Sequence, residues 1–254
     1  MIFMSSISNN EIKRIKSLQQ KKFRDETGLF VVEGEKMVAE VENSGFVVEN
    51  VYRRDEIGVE TMGRISALAT PSPVLAVVRK PADVYLDDRK VLEDLVSKGG
   101  LYLGLDTVRD PGNLGTILRI ADWFGVDAVF ATRDTVDVFN PKVVQSTMGA
   151  IFRVKMHYVD LPDMSERILA AGGKVYGTFL DGRNMYKREL DTGAGHPVML
   201  VMGNESEGIS ERMAGLVSDR LYIPPYPVDS PGSESLNVAI ATALTVAEFR
   251  RRTL

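Results

Sequence analysis

The side chains able to do chemistry fall into three short segments, each following a run that reads as a strand. In the first, Leu105 to Arg119, Pro111-Gly112 makes a tight turn and Asn113 is placed to cap the helix that follows. Leu114, Ile117, Leu118, Ala121 and Phe124 share one face of that helix, and Arg119 falls nearly opposite them. On this pattern alone Arg119 is a surface arginine. In the second, Val201 to Ser210, Gly203 and Gly208 enclose Asn204 and Glu205, which lets backbone approach a ligand closely. That segment lacks the spacing of a phosphate-cradling loop or a Gly-x-Gly-x-x-Gly fingerprint, so a Rossmann-type nucleotide enzyme is disfavoured. Taken alone it is also an ordinary turn with a capped helix behind it. The third runs from Ile223-Pro224 through a proline-rich loop to Ser235-Leu236-Asn237 and an alanine-rich helix, apolar almost all round. Open α/β sheets bind ligands at the carboxyl ends of their strands, which is where all three segments stand.

What the chain lacks removes other chemistries. It has no cysteine, hence no disulfides, thiol nucleophile or thiolate metal site. His157 and His196 are isolated, so no metal is expected. Apolar runs such as Pro197 to Met202 are far too short to span a bilayer, and Met1 to Ser6 lacks a basic signal region. A cytoplasmic protein without membrane attachment is expected. At 254 residues, 44% hydrophobic and 26% charged, the chain is able to bury a core in one large domain or two ordinary ones. The net charge of −4 argues against indiscriminate nucleic-acid binding. Residues 11–24, however, hold Lys13, Arg14, Lys16, Lys21, Lys22 and Arg24 against Glu11 alone. Charges act locally, within about 10 Å at ordinary salt. The strip is therefore either a phosphate-binding surface or a solvated helix face.

The elements that position these residues follow from periodicity. The first part reads as a small α/β unit, with a helix over Glu11–Lys22, strands at Leu29–Val32, Val47–Tyr52 and Val74–Val78, and helices at Lys36–Asn43 and around Ile65–Leu68. Lys80 to Lys90 is rich in aspartate and poor in apolar residues, marking a linker that runs to about Gly100. The domains expected are 1–90 and 100–254. In the second, strands Leu101–Leu105, Ala128–Ala131, Lys174–Phe179, Val198–Met202 and Arg220–Ile223 alternate with helices, the rhythm of a mainly parallel sheet covered on both faces.

Together and in order, Asn113-Leu-Gly-Thr-Ile-Leu-Arg119, Gly203-Asn-Glu205 with Gly208, and Ile223-Pro224 with Ser235-Leu-Asn-Val238 closely resemble the three motifs of the SpoU (TrmH) family of RNA ribose methyltransferases. Asn140-Pro-Lys-Val-Val144 with Met148-Gly-Ala150, and Phe30-Val-Val-Glu-Gly34 in the first part, extend the resemblance over nearly the whole chain. The chain departs from the family in the segment Pro225 to Glu234, which is longer than usual.

The resemblance implies an α/β fold: a C-terminal, trefoil-knotted SPOUT methyltransferase domain behind an N-terminal L30e-like RNA-binding domain. It implies S-adenosylmethionine (SAM) as cofactor, contacted by Thr178, Phe179, Leu180, Gly203, Asn204, Ile223 and Leu236. It implies a homodimer packed through the C-terminal helix, with the knotted domains sharing the active site, and an RNA substrate, rRNA favoured over tRNA. In the reaction a ribose 2′-hydroxyl attacks the sulfonium-bound methyl carbon and S-adenosylhomocysteine leaves as the S–CH3 bond breaks, so the site must align a weak nucleophile and stabilise developing oxyanion character. A guanidinium stays protonated, so Arg119 is expected to hold phosphate and ribose and stabilise the alkoxide rather than act as a base. Asn113 would bind the ribose or order its loop, Glu205 would orient Arg119 or Asn113, and Ser235 and Asn237 would complete the polar shell. Lys13, Arg14, Lys21, Lys22 and Arg24 would grip phosphates. A non-catalytic RNA-binding or ribosome-assembly protein with the same fold is the competing reading.

Overall fold

The computed structural model describes residues 7–193, 195–227 and 234–253. In chain order the helices are α1 (Asn9–Ser17), α2 (Lys21–Thr27), α3 (Glu35–Glu42), α4 (Arg54–Ile57), α5 (Val59–Ile65), α6 (Arg89–Ser97), α7 (Pro111–Trp123), α8 (Pro141–Thr147), α9 (Leu161–Ala170), α10 (Glu211–Ala214) and α11 (Val238–Arg251). The strands are β1 (Leu29–Glu33), β2 (Val48–Arg53), β3 (Val74–Arg79), β4 (Gly100–Leu105), β5 (Ala128–Ala131), β6 (Met156–Tyr158), β7 (Lys174–Asn184), β8 (Pro197–Met202) and β9 (Asp219–Tyr222). They form two compact units, one of residues 1–82 with 137–153, the other of 83–136 with 154–254.

The first unit carries an antiparallel sheet in the order β1-β3-β2. The single helix read over Glu11–Lys22 is two helices instead. Ser8 caps α1 through its hydroxyl, which accepts from the Glu11 amide at 3.2 Å, and Gly28 ends α2 in the left-handed region at φ 68°. Between them the chain turns, and the Arg24 guanidinium donates to the carbonyls of Leu18 and Gln19, both at 2.9 Å. The same guanidinium meets Asp137 Oδ2 at 2.6 and 3.0 Å. Arg24 is only 2% exposed. This corrects its reading as a phosphate contact: its donors already serve the protein's own carbonyls and a buried carboxylate. Nearby Phe30 packs on Phe139, with ring centroids 4.6 Å apart.

In the second unit all six strands run parallel, in the order β6-β5-β4-β8-β7-β9. Their apolar runs are buried, as a sheet covered on both faces requires. The stretch read as a linker contains α6, capped by Asp88 Oδ1 on the amides of Lys90 and Val91 and burying Leu92 and Val96. β6, three residues long, is too short for periodicity to reveal.

Candidate active site

β4 and β8 are parallel neighbours with Leu105 paired to Met202, so the chain leaves both strands at the same edge of the sheet. The departures are tight. Thr107 takes a positive φ of 62°, a conformation uncommon outside glycine. The Asp106 carboxylate accepts from the Ser210 amide at 2.8 Å, and Asn204 Nδ2 donates to the Thr107 carbonyl at 2.7 Å. Asn204 Oδ1 accepts from the amides of Ser206 and Glu207, while its backbone pairs both ways with Gly208. Gly203 is required there, because a Cβ would stand 2.2 Å from the Gly208 carbonyl carbon. This folded loop points Glu205 at the start of α7.

Helix α7 begins earlier than its apolar spacing indicates. Pro111 occupies the first turn, and Asp110, not Asn113, caps it by accepting from the Asn113 amide at 2.8 Å. Asn113 is thereby left inside the first turn with its side chain unused by the helix. It donates from Nδ2 to Glu205 Oε1 at 3.0 Å and accepts at Oδ1 from Asn237 Nδ2 at 2.8 Å. Asn237 caps α11 with its own Oδ1, on the amides of Ala239 and Ile240. That capping turns the Asn237 amide hydrogens toward Asn113, which in turn sends its own toward Glu205. The relay fixes both amides in one orientation and ties all three motif segments together.

Glu205 also accepts from the amides of Arg109 and Asp110, at 3.2 and 3.1 Å. Burial pulls its carboxyl upward, but the donation from Asn113 and the backbone amides outweighs it and holds the group below the usual carboxylate range. An anion is thus seated against the amino end of α7, where the helix dipole favours it. The Arg109 and Asp110 amides escape sequence reading because they are backbone. Asp106, whose carboxylate fastens the second loop, was readable only as one acid in a polar turn.

Two other motif residues stand apart from this relay. Arg119 lies six residues beyond Asn113 on α7, about 9 Å along the axis, on the exposed face. It has no ion pair or hydrogen bond among the described residues. Ser235 is exposed and likewise makes none among them.

Of the residues assigned to the cofactor, Gly203 and Asn204 follow β8, Ile223 follows β9, and Thr178, Phe179 and Leu180 lie within β7, which stands between those two strands and runs on to Asn184; Leu236 precedes the cap of α11. Thr178 Oγ1 lies 3.6 Å from Met202 Sδ. Phe179 and Ile223 are half-buried, whereas Leu180 and Leu236 are 70% and 48% exposed. The ends of β8 and β9 on either side of β7, with the exposed apolar groups of Leu180 and Leu236, suit a ligand that carries an aromatic base. These residues fit SAM. Part of the long loop after Ile223, residues 228–233, lies outside the described residues.

With this geometry in view, the relationships are plain. Residues 100–247 match the SpoU rRNA Methylase family, and residues 9–81 match the MRM3-like substrate binding domain. The chain belongs to the SpoU rRNA methylase family and is a methyltransferase that uses SAM. It is 31% identical to 23S rRNA (guanosine(2553)-2'-O)-methyltransferase RlmP of Bacillus subtilis, over 97% of this chain and 98% of that one. A TrmH-family protein of Porphyromonas gingivalis superposes with a TM-score of 0.84 at 37% identity, covering 98% of this chain and 100% of the other. An AdoMet-bound rRNA methyltransferase of Sinorhizobium meliloti also gives 0.84, at 31% identity, covering 98% and 97%.

Proposed function

We infer that this chain transfers the methyl group of SAM to a ribose 2′-hydroxyl in ribosomal RNA. The observation that carries this reading is the relay Asn237–Asn113–Glu205, which assembles all three family motifs into one site. A non-catalytic RNA-binding protein has no use for that relay, so the competing reading is disfavoured. SAM supplies an activated methyl on a sulfonium. The chain's residues then have two tasks, alignment and charge stabilisation. Asn113, held by Glu205 and Asn237, orients the ribose or the loop that meets it. Arg119, exposed and free of partners among the described residues, binds the phosphate beside the target and stabilises the charge that develops on the oxygen, whose proton passes to solvent as S-adenosylhomocysteine leaves. Thr178 to Leu180, Gly203, Asn204, Ile223 and Leu236 hold the cofactor, and Ser235 completes the polar shell.

The active unit we propose is a homodimer packed through α11. What supports it is the pair of exposed apolar residues Ile240 and Leu244, spaced by four along one face of α11. The trefoil knot and the L30e-like fold belong to the same reading. The matched ranges support a substrate domain within 1–90 and a catalytic domain within 100–254. Lys13, Arg14, Lys21 and Lys22 form the RNA-facing strip, although Arg14 is tied to Glu11 and Lys21 to Asp25. No helix among the described residues is long and apolar enough to cross a membrane; the likeness to the bacterial 23S rRNA methyltransferase supports a cytoplasmic place of action.

The test is transfer of tritium from methyl-labelled SAM to rRNA and tRNA purified from a strain lacking this chain. Label in rRNA alone supports the reading. Label confined to tRNA would reassign the substrate, and no label in either would favour the non-catalytic protein. Light scattering should give a dimer at micromolar concentration, and a stable monomer would remove the shared site.

A further inference from the structure

The pairing of β7 with β9 is interrupted. Thr178 pairs with Leu221, and Arg183 then pairs with the same residue, so Phe179 to Gly182 leave the ladder as a four-residue bulge. Gly177, two residues before the bulge, and Gly182, its last residue, are built for close approach. A Cβ at Gly177 would stand 2.7 Å from the Phe179 ring, and one at Gly182 would stand 2.6 Å from the Leu221 backbone. The ring therefore folds back over Gly177 while the chain lies against β9. One side chain spans the whole feature. The Arg220 guanidinium sits 3.7 Å from the centroid of the Phe179 ring and donates from Nη2 to Asp181 Oδ1 at 2.6 Å.

We propose that Arg220 is a positioning residue for the cofactor: by stacking on Phe179 and pairing with Asp181, it holds the bulge in the shape that presents Thr178 to Leu180 to SAM. This rests on the assignment of those three residues to the cofactor wall. The contacts favour arginine specifically. A planar guanidinium stacks its face on a ring while an N–H in its plane donates to a carboxylate, which an ammonium does not. Each contact is weak at this exposure, so they matter to the fold as a whole far less than to the local shape of four unpaired residues. A bulge in a strand re-aims side chains, and Leu180, the most exposed of the three, is the one so presented.

The experiment measures S-adenosylhomocysteine binding to the full-length protein by calorimetry, together with steady-state kinetics, for wild type, Arg220→Ala, Arg220→Lys, Phe179→Leu and the double variant of Arg220→Ala with Phe179→Leu. Arg220→Ala should weaken binding about tenfold, or about 1.4 kcal/mol, and raise KM for SAM to match. Its kcat at saturating SAM should stay within about twofold, because a residue that acts through cofactor binding alone leaves the bound complex competent. Arg220→Lys should recover part of the loss. Arg220→Ala should cost little more in the Phe179→Leu background, because coupled residues are not additive. Wild-type affinity in Arg220→Ala, or a fall in kcat with KM for SAM unchanged, overturns the proposal. A rise only in KM for RNA overturns it too, and makes Arg220 an RNA contact. If Arg220→Ala does not fold, the lysine variant and an Asp181→Asn variant, which removes the carboxylate partner and no cofactor contact, decide on the same criteria. Wild-type protein that binds no S-adenosylhomocysteine would instead sink the cofactor assignment itself, a distinguishable failure.

Discussion

Asn113 Nδ2 lies 3.0 Å from Glu205 Oε1, a hydrogen bond between residues 92 positions apart. Because Asn237 capping fixes the other end of the relay, Glu205 is the acceptor that decides where Asn113 points. Glu205→Gln keeps the shape but replaces one accepting oxygen with a donor, facing either the Arg109 amide or the Asp110 amide and Asn113. Water reaches this side chain, so the stability loss should be small, about 0.5–1 kcal/mol. Methyl transfer should fall about a hundredfold, the scale expected when a group is misplaced by an ångström. A Glu205→Gln variant within twofold of wild type would mean that the relay is only structural.

The basic strip divides in two under mutation. Arg24→Ala strips Asp137 of its buried partner and should lower unfolding free energy by about 3–5 kcal/mol, read from urea denaturation. Lys13 is exposed and has no partner among the described residues. Lys13→Ala should leave stability unchanged, weaken RNA binding and reduce the salt slope by about one. Equal stability losses in the two variants would contradict the division.

Glu248 anchors the end of α11. Donation from Arg251 holds its carboxyl down, burial opposes this, and Arg252 adds to the lowering, leaving it at about 2 against the usual 4.5. A lowered carboxyl contributes stability that is complete above the unfolded value and is lost as pH falls through the folded one. The stability difference between wild type and Glu248→Gln should therefore be full at neutral pH and shrink between 4.5 and 2. A difference that is constant with pH would mean that the ion pairs with Arg251 and Arg252 contribute nothing.

These sites differ in how far the sequence shows them. The apolar spacing of Leu114, Ile117, Leu118 and Ala121 marks the buried face of α7 directly, and all four are buried. The true start of α7 was legible too, since Asp110-Pro111 is a strong cap and first-turn pair, yet Asn113 was the more conspicuous amide. Helix α6 carried a similar signal, Asp88 followed by Leu92 and Val96, masked by neighbouring aspartates. Arg24 was beyond reach: its burial depends on Asp137, 113 positions away, and composition counts every arginine as surface charge. The relay of Asn113, Glu205 and Asn237 has no local signature at all. Only the order of the motifs places those three together.

Arg119 separates binding from chemistry. Arg119→Ala should bind S-adenosylhomocysteine as wild type does, while methyl transfer falls by about a hundredfold or more, and Arg119→Lys should restore little. Near wild-type transfer by Arg119→Ala would make it an ordinary surface arginine and move the catalytic assignment to Asn113 or Glu205.

The most direct test is the identity of the methylated atom. RNA from a strain lacking the chain is incubated with the protein and methyl-labelled SAM, digested to nucleosides and analysed by mass spectrometry. The account predicts a labelled 2′-O-methylated nucleoside from rRNA, reduced about a hundredfold or more with Arg119→Ala. Label on a base, or no labelled nucleoside from protein that demonstrably binds SAM, would contradict ribose methylation.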